Sequence, residues 1–279
     1  MTDGESLRAT SNARAPAAGR RRIAIGVEYD GAELVGWQMQ KDGPSAQTAL
    51  ERALSAVADE PVGVVGAGRT DSGVHATGQV AHFDTVAERS MRSWVLGANT
   101  ALPPGVCLRW ARAAPDGFHA RFSAVSRSYS YLFLNRETRS ALWRRRAWWV
   151  HRPLDEASMQ RASRVLLGEH DFSAFRAAEC QSKTPIRRMQ RLELRRQGDF
   201  IRLDVTANAF LHHMVRNIAG TLAAVGRGDR PESWVADVLA GRARARAGAT
   251  APAEGLYMVR VDYGTLMDTP PPEWPGPLA

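Results

Sequence analysis

The chain has 279 residues, 44% of them apolar, which suits one large or two fused small domains with a sizeable core. Its formal charge is +8, carried almost wholly by arginine, since the only lysines are Lys41 and Lys183; this favours a polyanionic partner, nucleic acid ahead of a membrane surface. Two cysteines, Cys107 and Cys180, exclude a disulfide framework, no His, Cys or carboxylate group has zinc-ligand spacing, and no signal-type or spanning apolar run occurs. The expected setting is a reducing cytoplasm, with no membrane and no metal.

Residues 1 to 21 are rich in Ala, Arg, Ser and Gly and read as a disordered basic arm. The run Arg20-Arg21-Arg22 at its end meets either solvent or RNA phosphates. Ile23, Ile25, Val27 and Tyr29 then alternate with smaller or polar residues, a period-two strand. Asp30-Gly31 turns the chain, and Gly36-Trp37-Gln38 follows in a loop. Ser45 is a helix N-cap, with Ala46, Ala49, Leu50, Ala53, Leu54 and Val57 at helical spacing behind it. Pro61 closes that unit.

The apolar run Val62 to Val65 leads into Gly66-Ala-Gly-Arg-Thr-Asp-Ser-Gly-Val-His-Ala-Thr-Gly-Gln-Val-Ala-His-Phe-Asp84, and a second apolar stretch, Gln79 to Phe83, leaves it. Gly66, Gly68 and Gly73 favour a tight loop over a helix. The reading is strand, rigid loop, strand, with Asp71 at the apex and Arg69 two positions before it. No Gly-Lys-Ser/Thr follows, so this is not a phosphate loop. By residue type alone Asp71 has two readings: an acceptor of backbone hydrogen bonds in a turn, or a carboxylate placed for chemistry on a rigid loop.

Ser90 caps a second helix to about Ala98, Pro103-Pro104-Gly105 breaks it, and Val106 to Trp110 is a strand. The first half therefore reads β-α-β-β-α-β, a ferredoxin-like order. In the second half, residues 127 to 134 form a strand with Tyr129, Tyr131 and Phe133 on one face. Arg136 to Arg152 reads as an irregular basic segment. Asp155 caps a helix carrying Met159, Ala162, Val165 and Leu166, stopped by Gly168. Residues 168 to 185 read as a long loop. Two alternating strands meet at a Gln197-Gly198-Asp199 turn. A helix striped by Leu211, Val215, Ile218, Leu222 and Val225 follows and places His212 and Arg216 on one face. Pro231 opens a short helix, and Leu256 to Val261 is the last strand.

The second half repeats the order of the first. The expected class is α+β: two ferredoxin-like, RRM-like βαββαβ halves, joined edge to edge into one mixed sheet with a cleft between them. The expected divisions are 1–21, 22–125 with the glycine-held loop, 126–265, and a Pro-rich tail over 266–279.

The run Gly68-Arg-Thr-Asp-Ser-Gly-Val-His-Ala-Thr-Gly-Gln-Val80 resembles the active-site motif of the TruA family of tRNA pseudouridine synthases. Four further blocks resemble that family: Ile25 to Gly31 with Gly36-Trp37-Gln38, Phe118 to Ala124 running on to Tyr129, His170 to Arg176, and Asn208 to Asn217, with Glu254-Gly255-Leu256-Tyr257 at the end. The resemblance spans roughly residues 22 to 265. It implies a pseudouridine synthase fold, no cofactor, a homodimer, and uridine at positions 38, 39 and 40 of the tRNA anticodon stem-loop as target. It implies that Asp71 is the nucleophile, that Tyr129 stacks on a flipped-out base and helps take its proton, and that Arg69 fills the hole the base leaves. Arg216 and Arg69 are candidate cations that keep Asp71 ionised. Arg136 to Arg152 and Arg187 to Arg196 are candidate phosphate contacts.

From residue types alone, Tyr129 is most simply core and Arg216 a surface ion-pair partner. A non-catalytic RNA-binding protein of two RRM-like halves explains the charge and the aromatic face, but has no use for a carboxylate in a basic site. A metal-dependent nuclease calls for several clustered carboxylates, and the central loop offers one.

Overall fold

The computed structural model describes residues 15–40, 43–271 and 274. The greater part of the predicted arm and half of the predicted tail lie outside those residues. The chain divides into two compact units, residues 1–125 with 260–272, and residues 126–259 with 273–279.

In the first unit, β1 (Arg21–Tyr29) is the central strand of an antiparallel sheet, flanked by β3 (His75–Thr85) and β4 (Val106–Ala113). The two-residue β2 (Val65–Gly66) pairs with β3 at Val65↔His82. Strand β1 begins two residues before the first apolar position because its arginines are held: Arg20 pairs with Glu60 at 2.9 Å, and Arg22 grips Asp84 through Nε at 2.7 Å and Nη2 at 2.8 Å. The basic run thus ties the sheet's end together. Strand β3 likewise starts at His75, inside the stretch expected to be loop, because Tyr29 of β1 pairs with Ala76.

Helix α1 (Ala46–Ala58) starts where expected, Ser45 accepting from the Thr48 N–H. It buries Ala46, Leu50, Ala53, Leu54 and Ala58, and each leucine contributes roughly 1.5–3 kcal/mol of burial. Helix α2 (Met91–Ala101) lies beside it and buries Trp94, whose ring meets Phe83 edge-on at 5.0 Å. The predicted order of this half is observed.

In the second unit, β5 (Ser126–Asn135) pairs antiparallel with β9 (Phe200–Ala207), β9 with β8 (Ile186–Gln197), and β8 with β7 (Gly168–Asp171). Strand β6 (Trp148–Val150), within the segment expected to be irregular, runs parallel to β5. It is the parallel pair in an otherwise antiparallel set among the paired strands described here. Strand β7 corrects the expectation of a loop from residue 168. Its sequence, Gly-Glu-His-Asp, has no apolar alternation, so only the backbone ladder to β8 makes it a strand.

Helix α3 (Glu156–Ser163) is capped by Asp155 as expected. Helix α4 (Met214–Gly226) is buried along its length except at Arg216. It starts later than the apolar spacing suggests: His212 precedes it, and His213 sits at its N-cap with φ of 61°, so His212 and Arg216 do not share a helical face. A left-handed residue there breaks the periodicity. Helix α5 (Trp234–Gly241) follows, and along β10 (Leu256–Asp262) the chain passes from the second unit back to the first.

Candidate active site

The loop between β2 and β3 carries Arg69 and Asp71. Its ends are closed by backbone bonds: the Ala67 N–H donates to the Val80 carbonyl at 2.8 Å, and the Val74 N–H to the Asp71 carbonyl at 3.1 Å. The segment after β1 supports its middle. The Trp37 N–H donates to the Thr70 carbonyl at 3.1 Å, and the Gly73 N–H and Ser72 hydroxyl both donate to the Leu34 carbonyl at 3.3 Å. Gln79, with no exposed surface, donates from Nε2 to the Gly68 carbonyl at 2.8 Å.

Two glycines make this close approach possible. Gly36 has φ of +103°, and a Cβ on it would lie 2.5 Å from the Thr70 carbonyl oxygen; Gly73 has φ of +80° at the turn after Asp71. Of the three loop glycines picked out by sequence, only Gly73 takes the left-handed conformation. Beneath the loop, the Tyr29 hydroxyl lies 2.8 Å from Thr70 Oγ1. Burial pushes the Tyr29 phenol up to about 12, against the lowering effect of its bonds to Thr70 and Gln79. It therefore stays protonated under the loop.

Asp71 is half-buried at the apex, and Arg69 is exposed. The guanidinium of Arg69, two positions before Asp71, lies on the exposed side of the loop. Tyr129, on β5 opposite Val205, is 9% exposed, and its ring meets Phe210 edge-on at 5.0 Å. Tyr131 and Phe133, on the same face, have no exposed surface and are core. Arg216 stands in the first turn of α4, and its Nε donates to the Ala251 carbonyl at 2.8 Å. Asp71 and Arg69 thus share one loop of the first unit, while Tyr129 and Arg216 stand on two packed elements of the second.

The block Phe118 to Ala124 is pinned by β3. His82 is 3% exposed, and its Nδ1 accepts from the Ala120 N–H at 3.2 Å. Burial first, then the charges of Arg22 and His119, lower its pKa to about 3. His119 is lowered too, chiefly by burial, and stacks on the exposed Phe122 at 4.4 Å.

The basic segments divide. Arg187 is 7% exposed and donates to the Thr184 carbonyl and the Ser182 hydroxyl; Arg191 and Arg195 both donate to Glu193; Arg196 donates to Asn135 and Leu154. Of these, only Arg196 ties β8 to a segment distant in sequence; Arg191 and Arg195 stay exposed beside Glu193 on the same strand. In the other basic segment, Arg139, Arg144, Arg145 and Arg146 are exposed.

Sequence reasoning did not find the Tyr29–Thr70 bond. Tyr29 reads only as the last apolar position of a strand, and 41 residues separate the pair.

The family described as tRNA pseudouridine synthase matches residues 25–123 and 162–264, leaving out the exposed basic segment. The chain is 54% identical over 249 residues to tRNA pseudouridine synthase A of Nitrosococcus oceani, covering 89% of this chain and 96% of that protein. It is 54% identical over 250 residues to the enzyme of that name from Burkholderia multivorans, covering 90% and 93%, and 52% identical over 267 residues to that of Pectobacterium atrosepticum, covering 96% and 93%. An α+β chain matched along both halves, over nearly the full length of these relatives, belongs to the tRNA pseudouridine synthase family of isomerases.

Proposed function

We propose that the chain isomerises uridine to pseudouridine at positions 38, 39 and 40 of the tRNA anticodon stem-loop, as a cytoplasmic homodimer without a cofactor. The observation that carries this reading is Asp71, a lone carboxylate on a loop whose backbone is held on both sides, within the stretch matched by the family. The reaction breaks N1–C1′, forms C5–C1′, releases the C5 proton and protonates N1; nothing is oxidised or reduced. Asp71 is the nucleophile, attacking the electron-poor sugar or base. The target base leaves its stem and meets the Tyr129 ring, whose hydroxyl assists removal of the C5 proton. Arg69, which is exposed, fills the vacated position in the stem. Arg216 supplies positive charge to the reacting groups, and the exposed arginines between residues 139 and 146 meet phosphates.

Tritium release from tRNA labelled at uridine C5 tests the assignment. Asp71→Asn and Asp71→Ala are expected to release none while keeping their melting temperature and tRNA affinity. Turnover near that of the wild type in either variant overturns the role of Asp71.

A further inference from the structure

Asn217, Arg244 and Thr250 form a closed cluster in the second unit. Asn217 has no exposed surface. Its Oδ1 accepts from Arg244 Nη2 at 3.0 Å and from the Thr250 hydroxyl at 2.7 Å, and its Nδ2 donates to the Phe175 carbonyl at 2.8 Å. Arg244 also donates to Thr250 Oγ1 and to the Gly248 carbonyl, each at 2.9 Å. One turn along α4, the Thr221 hydroxyl donates to the Asn217 carbonyl at 2.7 Å and accepts from the Gly248 N–H at 3.0 Å.

These bonds draw the strap of residues 244–251 against α4. The approach is close: a Cβ on Gly220 would lie 1.8 Å from the Ala249 carbonyl oxygen. The strap itself reads Arg-Ala-Arg-Ala-Gly-Ala-Thr-Ala and has little apolar surface to bury. Its position is therefore set by directional polar bonds rather than by packing: Arg244 bonds to Asn217 of α4 and, through Thr250 and the Gly248 carbonyl, also closes the strap on itself.

The strap ends at the side chain that matters. The Ala251 N–H donates to the Arg216 carbonyl at 3.1 Å, and Arg216 Nε donates back to the Ala251 carbonyl at 2.8 Å. The next carbonyl, of Pro252, accepts from the Tyr131 hydroxyl at 2.8 Å, which ties the same strap to β5, two residues from Tyr129. The Nε bond to the Ala251 carbonyl couples the orientation of the Arg216 guanidinium to the position of the strap.

We propose that Arg244, Asn217 and Thr250 are positioning residues: they hold the strap whose Ala251 carbonyl orients Arg216 for the isomerisation. This rests on the assignment of Arg216 to the reacting groups. None of the three touches the uridine in this scheme, and each acts through Arg216.

The test uses the full chain with Arg244→Gln, Thr250→Val and the conservative Thr250→Ser. Three quantities are measured: the single-turnover rate of pseudouridine formation, the melting temperature, and the rate at which phenylglyoxal modifies Arg216, followed by peptide mass spectrometry without tRNA. Arg244→Gln and Thr250→Val are expected to modify faster at Arg216 and to lose about 10²-fold in rate, the scale of a misplaced group near the chemistry. Thr250→Ser is expected to match the wild type in both. Adding Arg216→Ala to Arg244→Gln is expected to lower the rate no further than Arg216→Ala alone, because the two act as one unit.

Unchanged modification of Arg216 overturns the proposal, as does multiplication of the two losses in the double variant. Faster modification with an unchanged rate overturns it as well, and Arg216→Ala then locates the failure. Full activity in that variant removes Arg216 from the reaction, while strong loss leaves Arg216 in place and shows that the reaction does not need the strap. If Arg244→Gln does not fold, the Thr250→Val and Thr250→Ser pair gives the same decision.

Discussion

The Tyr29 hydroxyl and the Thr70 hydroxyl lie 2.8 Å apart in the interior of the first unit, directly before the position of Asp71 in the chain. The bond joins a strand end and a loop that are far apart in sequence. Tyr29→Phe leaves Thr70 Oγ1 without this partner in buried surroundings, at a cost of roughly 1–3 kcal/mol. The variant is expected to unfold at lower urea concentration and to react more slowly.

The same pair gives a pH signature. The folded phenol titrates near 12, above its ordinary value of 10, so the stability it contributes is full below pH 10 and is lost as pH rises through about 12. The shift corresponds to about 2–3 kcal/mol. Urea midpoints of the wild type are expected to fall between pH 10 and 12 by more than those of Tyr29→Phe. Parallel curves for the two proteins would contradict the buried, protonated phenol.

His82 acts at the opposite end of the scale. Its folded pKa of about 3 is depressed from 6.5, so its contribution is present above pH 6.5 and is lost as pH falls towards 3. The loss is on the order of 4 kcal/mol by the bottom of that range. His82→Asn keeps an acceptor for the Ala120 N–H and cannot take up the proton. Its stability is expected to depend less on pH between 6.5 and 4 than that of the wild type, as read from urea titrations.

Tyr129→Phe keeps the ring against Phe210 and removes the hydroxyl. Folding and tRNA affinity are expected to be unchanged, while single-turnover formation of pseudouridine falls by about 10²-fold or more, the scale of general acid–base assistance. Full activity would leave the ring as a wall alone.

Arg69→Ala is expected to fail differently. Arg69 is exposed, so its loss is expected to slow base extrusion and leave the fold intact. The measurement compares single-turnover rates on a stem paired at the target uridine and on one mismatched there. The mismatch is expected to restore the variant more than it accelerates the wild type; equal effects would remove Arg69 from the flipping step.

Local regularities were legible directly in the residues. Ser45, Ser90 and Asp155 each cap the helix that begins after them, because a side-chain oxygen needs only the N–H three residues on. The alternation of β1 and of Tyr129, Tyr131 and Phe133 was legible for the same reason, since period two is a property of the strand itself. The glycine-held loop and Asp71 stood out because several unusual residues are adjacent. Where the sequence carried no such period, it gave no sign: β7 is a strand only through its ladder with β8, and the left-handed His213 delays α4 past the first residue of its apolar stripe.

By itself, then, the amino-acid order determined the α+β class, the element order of the first half, the loop with Asp71 at its apex and the family to which the motifs belong. The tertiary structure decided which polar groups those elements bind. Charge in sequence does not say whether an arginine is solvated or spent: Arg22 and Arg202 hold carboxylates, Arg187 is buried, and Arg139 and Arg144 are exposed. Tyr29 with Thr70 and Asn217 with Arg244 are contacts across 41 and 27 residues. No local preference specifies such pairs, because a hydrogen bond depends on distance and direction in space, and only the packed backbone sets both.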